Sequence, residues 1–309
     1  MIQRATTGRL PPPLSSGDRI QIISPAGPIQ VGSLSAAVEF LQNAGYQVDV
    51  SAHAYDKDGY LAGSDESRLN DLVDALFDED IQAIICSRGG YGSQRLLDAI
   101  PWESLKNVTP KTFIGFSDIG VLQTGLWLQA GWSSFSGLQA VNGFNSIDET
   151  EAKRYFLTIL SGHWKGRSGW SKTKPITLAH VSHGICEGVL YPICLSMLVS
   201  MIGTPFFPNL SGVILCLEDV GEAPYRIDRL FWQLANSGCC DGLAGLILGE
   251  FLSGEESVVD AALQSVAHHF GSFNVPVWRG IPYGHFEDRL TLPFAVNCHI
   301  DADGALYYD

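Results

Sequence analysis

Over roughly the first 130 positions, short apolar and β-branched runs alternate with longer stretches whose apolar residues recur every three or four positions. RIQIISPAG (19–27) reads as a strand ending in a Pro/Gly loop. SLSAAVEFLQNAGY (33–46) carries Leu34, Ala37, Val38 and Leu41 at helical spacing, with Gly45 as its stop, and YQVDV (46–50) is strand-like. Ser64, followed by Asp65 and Glu66, predicts the capped start of a helix through Phe77. AIICS (83–87) is a β-branched strand leading into RGGYG, and SQRLLDAI (93–100) reads as a helix. FIGF (113–116) is the next strand and IGVLQTGLWLQAG (119–131) the next helix, ended by Gly131. Strands alternating with helices of this length predict βαβ units and a mostly parallel sheet. Ligands of such sheets gather at the carboxyl ends of the strands. SPAG, SRGGYG and GFSDIG all follow strand ends and are expected on one edge.

The pattern changes after about residue 165. ITLAHVSHGICEGVLYPICL (176–195), SGVILCLEDV (211–220), LAGLILGEF (243–251) and the tail LTLPFAVNCHIDADGALYYD (290–309) read as strands spaced by turns. One helix is clear, YRIDRLFWQLANSG (225–238), with Ile227, Leu230, Phe231 and Leu234 on one face. The expected division is an α/β domain over 1–160, a connector over 161–174 and a β-rich domain over 175–309.

Composition narrows the function classes. A chain of 309 residues suits two domains and can bury roughly 75% of its unfolded surface without staples. Net charge is −14, with 33 acidic against 19 basic residues and no basic stripe, which argues against a nucleic-acid partner. No 18-residue apolar run and no basic-then-apolar N-terminus occur, so neither a membrane span nor a secretory signal is expected. Seven cysteines, an odd number, in a chain that needs no disulfides point to a reducing, cytoplasmic setting, with the thiols buried.

The loops carry the candidate chemistry. In GFSDIG, Ser117 reads either as an ordinary helix cap or as a nucleophile on a strand–turn–helix elbow, although Ile119 and Gly120 depart from G-x-S-x-G. RGGYG (88–92) suits an oxyanion-binding loop, a phosphate cradle or a plain tight turn; neither nucleotide-loop pattern is present. Arg88 and Tyr91 in this loop are candidate substrate contacts. In CLEDVGEAPYRIDR (216–229), Asp219 and Glu222 suit a helix start, whereas Glu218 directly follows a buried-type strand. A histidine partner would resolve the cost of burying that carboxylate. IPYGHFEDRLTLP (281–293) supplies His285 in a Gly-flanked loop. His180 with His183, and His268 with His269, lack metal-site spacing, so no metal is expected. Hydroxyl, carboxylate and imidazole, in the order Ser117, Glu218, His285, are the set that acyl transfer needs.

GDRIQIISPAG, GSDESR (63–68), RGGYGSQRLL, IGFSDIG, EGVL, LEDVGEAPYRIDR and GIPYGH, in this order, resemble the LD-carboxypeptidase family. These serine peptidases include muramoyl-tetrapeptide carboxypeptidases and microcin C immunity proteins. The resemblance, over about 18–300, implies Ser117 as nucleophile, Glu218 as orienting carboxylate and His285 as base, with the Gly90 and Asp118 amides as oxyanion hole. It also implies a flavodoxin-like parallel sheet with helices on both faces, a β-rich C-terminal domain, a site between them, a homodimer, and no cofactor or metal. The implied reaction is release of terminal D-alanine from murein tetrapeptides, cut at the L-centre of meso-diaminopimelate during cytoplasmic wall recycling. One alternative substrate is a microcin-type peptidyl-adenylate, for which Trp164, Trp170 or Trp278 could stack on adenine. A non-catalytic peptide-binding protein is the alternative of another class. Two segments depart from the family pattern: Pro192-Ile193-Cys194-Leu195 stands where GGNL is usual, and Ser136-Gly137-Leu138 where His-Gly-Pro is usual.

Overall fold

The computed structural model describes the backbone of residues 4–141, 143–144, 150–171, 174–182 and 184–309. His183 and the side chain of Trp170 lie outside the described residues. The chain forms two compact units, Gly8–His163 and Trp164–Asp309, the latter joined by Met1–Thr7.

The first unit contains β1 (Arg19–Ile23), α1 (Ser35–Asn43), β2 (Gln47–Val50), α2 (Asp65–Phe77), β3 (Ile81–Cys86), α3 (Trp102–Leu105), β4 (Thr112–Gly115), α4 (Gly120–Gly125), β5 (Ser134–Ser136) and α5 (Glu151–Leu160). Its strands pair in the order β2-β1-β3-β4-β5, every pair parallel. Ile20, Ile22, Ile23, Ala83, Ile84, Ile85, Phe113 and Ile114 on the central strands are buried. Continuous β-branched runs have this cause: a parallel strand covered on both faces has no polar side. The chain reverses direction across the sheet after β2, an order for which the right-handed crossover rule puts helices on both faces. Because the strands are parallel, the SPAG, SRGGYG and GFSDIG loops leave from the same edge.

Ser93–Ala99, expected as an α-helix, is a tight 3₁₀ segment. It is held at its start by the Ser93 amide, which donates to Asp118 Oδ2 at 2.9 Å, and Pro101 bars helical continuation at Ile100. The expected helix over 119–131 begins as a 3₁₀ turn (Ser117–Ile119), continues as α4 and widens to a π turn over Leu126–Ala130.

The second unit contains β6 (Gly166–Arg167), β7 (Gly169–Ser171), β8 (Lys174–Pro175), β9 (Ala179–Ser182), β10 (Cys186–Cys194), α6 (Leu195–Ser200), β11 (Val213–Val220), α7 (Pro224–Asn236), β12 (Gly245–Ser253), β13 (Glu256–Ser257), α8 (Val259–Phe270), β14 (Val277–Arg279), β15 (Leu292–Phe294), β16 (Val296–Ile300) and β17 (Leu306–Tyr308). A mixed sheet runs β6-β17-β16-β10-β11-β12-β14-β9. Its centre, β10-β11-β12-β14, is parallel, and its flanks are antiparallel. Helix α7 buries Ile227, Phe231 and Leu234 of the face expected from their spacing, and leaves Leu230 half-buried. Helices α5 and α8 were not marked by the sequence pattern. In α8 the buried positions are Ala262, Ser265, Val266 and Phe270, a face too rich in small residues to stand out.

The boundaries differ from those expected. Arg167 and Gly166 pair with Tyr307 and Tyr308, and the Ser168 amide donates to the Leu306 carbonyl at 2.7 Å, so much of the expected connector is sheet. At the start of the chain the Ala5 amide donates to the Ser211 carbonyl at 2.8 Å, which ties this segment to the second unit. Backbone groups leaving water must find partners, and these ends find them in the second unit.

Candidate active site

In the first unit the site grows from the end of β4. Phe116 is extended, and Ser117 turns the chain with φ +62°, one of three described non-glycine residues at positive φ. An L-residue pays sterically for that conformation, which persists where surrounding structure enforces it. The first helical turn starts at Ser117 itself, with Phe116 in the cap position and no side-chain cap bond. The reading of Ser117 as an ordinary helix cap is therefore corrected: an elbow residue inside the turn cannot occupy the extended cap position.

The SRGGYG loop packs against this elbow. Gly89 is a close-approach glycine: a Cβ there would lie 2.8 Å from Ser117 Cβ and 3.1 Å from the Asp118 amide nitrogen. The Gly27 amide donates to the Gly89 carbonyl at 3.1 Å, which joins the SPAG loop to the same cluster. Gly90 has φ +117°, open only to glycine at ordinary cost. Asp118 is buried; Oδ2 accepts from the Ser93 amide, and burial raises its carboxyl above the usual range against the pull of that donor and of Arg68. Arg88 and Tyr91 are exposed on the loop. Tyr91 stacks edge-on against Tyr60 at 5.4 Å, and Arg88 lines a 460 Å³ surface cavity with Lys57, Gln30 and Ser33.

Two residues hold these loops: Arg68, the last of the GSDESR stretch, to which the sequence assigned no role, and Gln139, which it did not mark. Arg68, fully buried in α2, donates from Nη1 to the Pro25 and Gly92 carbonyls and from Nη2 to Asp65, which in turn pairs with Arg95. One guanidinium thus ties the SPAG and SRGGYG loops together, the physical content of the GSDESR stretch. Gln139, just after the departing 136–138 segment, donates to the Phe116 carbonyl at 3.2 Å, bracing the residue before Ser117.

In the second unit Glu218 is wholly buried near the end of β11. Its Oε2 meets His285 Nδ1 at 2.7 Å, and its Oε1 accepts from Cys194 Sγ at 2.6 Å. Strand register explains the thiol, because Cys194 on β10 is the direct parallel partner of Glu218. A different device places the histidine. The β11–β12 ladder is irregular between Leu217 and Asp219, and there the Glu250 amide turns to donate to the Tyr283 carbonyl at 2.9 Å. Gly249 leaves room for this crossing, since a Cβ on it would strike the Tyr283 carbonyl. The loop so docked brings His285, whose side chain is 21% exposed, over the buried carboxylate. Cys194 is thus more than a buried apolar thiol, and its register opposite Glu218 was invisible until the strands were paired.

Buried charge surrounds the pair. Asp219 accepts from the Ser196 and Val220 amides at 2.7 and 2.8 Å, yet burial and the Glu218 charge lift its pKa to about 6. Arg289 donates to the Phe286 carbonyl at 2.7 Å; burial lowers its pKa to about 10, against the opposing attraction of Glu218. Trp278 and Trp164 are buried in the second unit, Trp164 against Tyr308 and Trp278 against His180, and neither presents a free face for a nucleobase. Ser117, Asp118, Gly90, Arg88 and Tyr91 therefore belong to the first unit, and Glu218 and His285 to the second.

Comparison with known proteins follows the same division. Residues 20–137 match the LD-carboxypeptidase N-terminal domain and residues 187–300 the LD-carboxypeptidase C-terminal domain. The chain is 31% identical to the murein tetrapeptide carboxypeptidase of Pseudomonas aeruginosa over 279 residues, 89% of this chain and 91% of that protein. Among solved structures, the muramoyltetrapeptide carboxypeptidase from Oxalobacter formigenes superposes with a TM-score of 0.79 at 29% identity, covering 94% of this chain and 97% of that one. An MccF-like protein from Bacillus anthracis superposes with a TM-score of 0.85 at 24% identity, covering 97% and 99%, a likeness of fold.

Proposed function

The chain belongs to the LD-carboxypeptidase family, and from that premise we propose that it is a serine peptidase releasing terminal D-alanine from murein tetrapeptides. The observation that carries the reading is the 2.7 Å contact between buried Glu218 and His285 Nδ1, in a chain whose Ser117 occupies a strained strand–turn–helix elbow. Glu218 holds the Nδ1–H tautomer, which leaves Nε2 as the base. His285 takes the Ser117 proton as Oγ attacks the carbonyl between diaminopimelate and D-alanine, and the Gly90 and Asp118 amides receive the oxyanion. The imidazolium returns the proton to the leaving amine, D-alanine departs, and water, deprotonated by the same imidazole, frees the acyl-enzyme. Arg88 and Tyr91 contact the peptide; the cation of Arg88 beside Lys57 suits a substrate bearing several carboxylates. No step calls on a cofactor.

The murein peptide is cytoplasmic in this reading, which seven cysteines outside any disulfide support, and no described helix is long and apolar enough to cross a membrane. The working form is a homodimer, for which sedimentation equilibrium should return twice the chain mass.

Incubation with muramyl tetrapeptide should release one alanine, seen by mass, and Ser117→Ala should lower turnover by about 10³-fold or more with its circular dichroism unchanged. Turnover of a peptidyl-adenylate with no action on the tetrapeptide would replace this substrate by the microcin-type one. Binding without hydrolysis of either would make the protein a peptide-binding one.

A further inference from the structure

The second unit gathers three donor atoms of different kinds at one point. Cys194 Sγ, a Glu218 carboxylate oxygen and a His285 ring nitrogen all lie within 4.8 Å of one another, and Nδ1 is the nitrogen in contact with Glu218. Strand register fixes the first two and the docked 281–285 loop brings the third, so none depends on a chance surface rotamer. Thiolate, imidazole and carboxylate are the donors zinc takes, at bonds of about 2.0–2.3 Å, which put tetrahedral ligand atoms about 3.3–3.7 Å apart. The 2.6 Å sulfur–oxygen contact would have to open by about 1 Å to admit the ion, a rotamer-sized adjustment. Charge also matches. One thiolate and one carboxylate neutralise a divalent cation, which removes the cost of an unpaired buried charge. Among the ionisable groups that feel Glu218, Asp219 and Arg289 are of opposite sign, and burial keeps the Cys216 thiol uncharged. The partly exposed imidazole marks the side from which an ion arrives, and a water or ligand would complete the shell.

We propose that Cys194, Glu218 and His285 form a binding site for a thiophilic divalent cation, zinc being the best match, whose occupancy switches off the Glu218–His285 pair. The site stands on this geometry alone, whereas the switch rests on the peptidase reading. On binding, the Cys194 thiol releases a proton to solvent, and His285 Nδ1 gives up the proton it shares with Glu218 to become a ligand. The neutral ring then carries its one proton on Nε2. With its lone pair gone, Nε2 can no longer take a proton from a hydroxyl. Hydrolysis stops although nothing blocks the nucleophile.

The test uses the full-length protein, freed of metal by a chelator and titrated with cobalt(II) as a spectroscopic probe. One equivalent should produce a near-ultraviolet thiolate-to-cobalt charge-transfer band, and one equivalent of zinc should abolish it. Cys194→Ser and Cys194→Ala should both lack the band and bind zinc at least 10-fold more weakly, whereas Cys239→Ser should keep both. Zinc should raise the unfolding midpoint of the native chain and not of the Cys194 variants, which also reports that they fold. No band in the native protein, or a band surviving both Cys194 variants, overturns the site. Tetrapeptide turnover should fall more than 10-fold at one equivalent of zinc and recover with chelator; zinc-insensitive turnover beside an intact band overturns the switch. A protein that binds cobalt through Cys194 but hydrolyses no tetrapeptide keeps the site and loses the peptidase reading.

Discussion

Ser117 carries two demands on one backbone position, and they can be separated by substitution. Its φ of +62° costs an alanine or serine roughly 1–2 kcal/mol that glycine does not incur, partly offset by glycine's greater freedom when unfolded, roughly 0.4–1 kcal/mol. Ser117→Gly should therefore unfold at an equal or higher denaturant midpoint than Ser117→Ala, the reverse of the usual order within a helix, while both are inactive. A clearly less stable glycine variant would mean the elbow is not strained. Gly89 poses the opposite problem. Gly89→Ala puts a methyl 2.8 Å from Ser117 Cβ, so we expect a loss of about 1–3 kcal/mol and a fall in kcat larger than any change in KM. The sequence showed both residues as unusual, a hydroxyl at a strand end and a doubled glycine. Neither the sign of the torsion nor the contact between the two was legible there, since each depends on loops distant in the chain.

Between secondary elements, single buried side chains do the joining. Arg68→Met leaves the Pro25 and Gly92 carbonyls without their donor and should cost about 2–4 kcal/mol in chemical denaturation, with weaker hydrolysis because the SRGGYG loop packs against Ser117 and the SPAG loop against SRGGYG. Arg68→Lys should recover little, since an ammonium cannot span the fork's partners. At the junction of β11 and α6, Asp219 sets a pH dependence. Its folded pKa, about 6, lies above the unfolded value near 4, so its contribution is full below pH 4 and is lost as pH rises through 6. Two units correspond to about 3 kcal/mol. The stability of the native chain minus that of Asp219→Asn, by denaturation at each pH, should fall by about this amount between pH 4 and 7. The altered hydrogen bonds add only a constant offset, so a flat difference would contradict the shift.

Each compact unit has its own buried sheet, and calorimetry should find a total unfolding enthalpy greater than the van't Hoff value from the transition's width. Coincident enthalpies would mean that the two unfold as one. The division itself shows where reading along the chain stops. The change of pattern near residue 165 marked the second unit, because a shift from helix-rich to strand-rich periodicity is local. That Met1–Thr7 joins that unit, and that residues 166–168 pair into its sheet, depends on positions near 211 and 307. Such pairings leave no local periodicity.

What the chain wrote locally could be read directly: the alternation that builds a parallel sheet, the loops gathered at one edge of it, and the residue types acyl transfer requires. These follow from side-chain size, polarity and turn chemistry within a dozen positions. The folded molecule alone decided the rest. It set Ser117 at a left-handed angle, closed Arg68 over two loops, and put Cys194 and His285 on either oxygen of Glu218. The reason is that strand register and the docking of the 281–285 loop arise from backbone hydrogen bonds, which every residue except proline can donate and which side-chain order therefore does not announce.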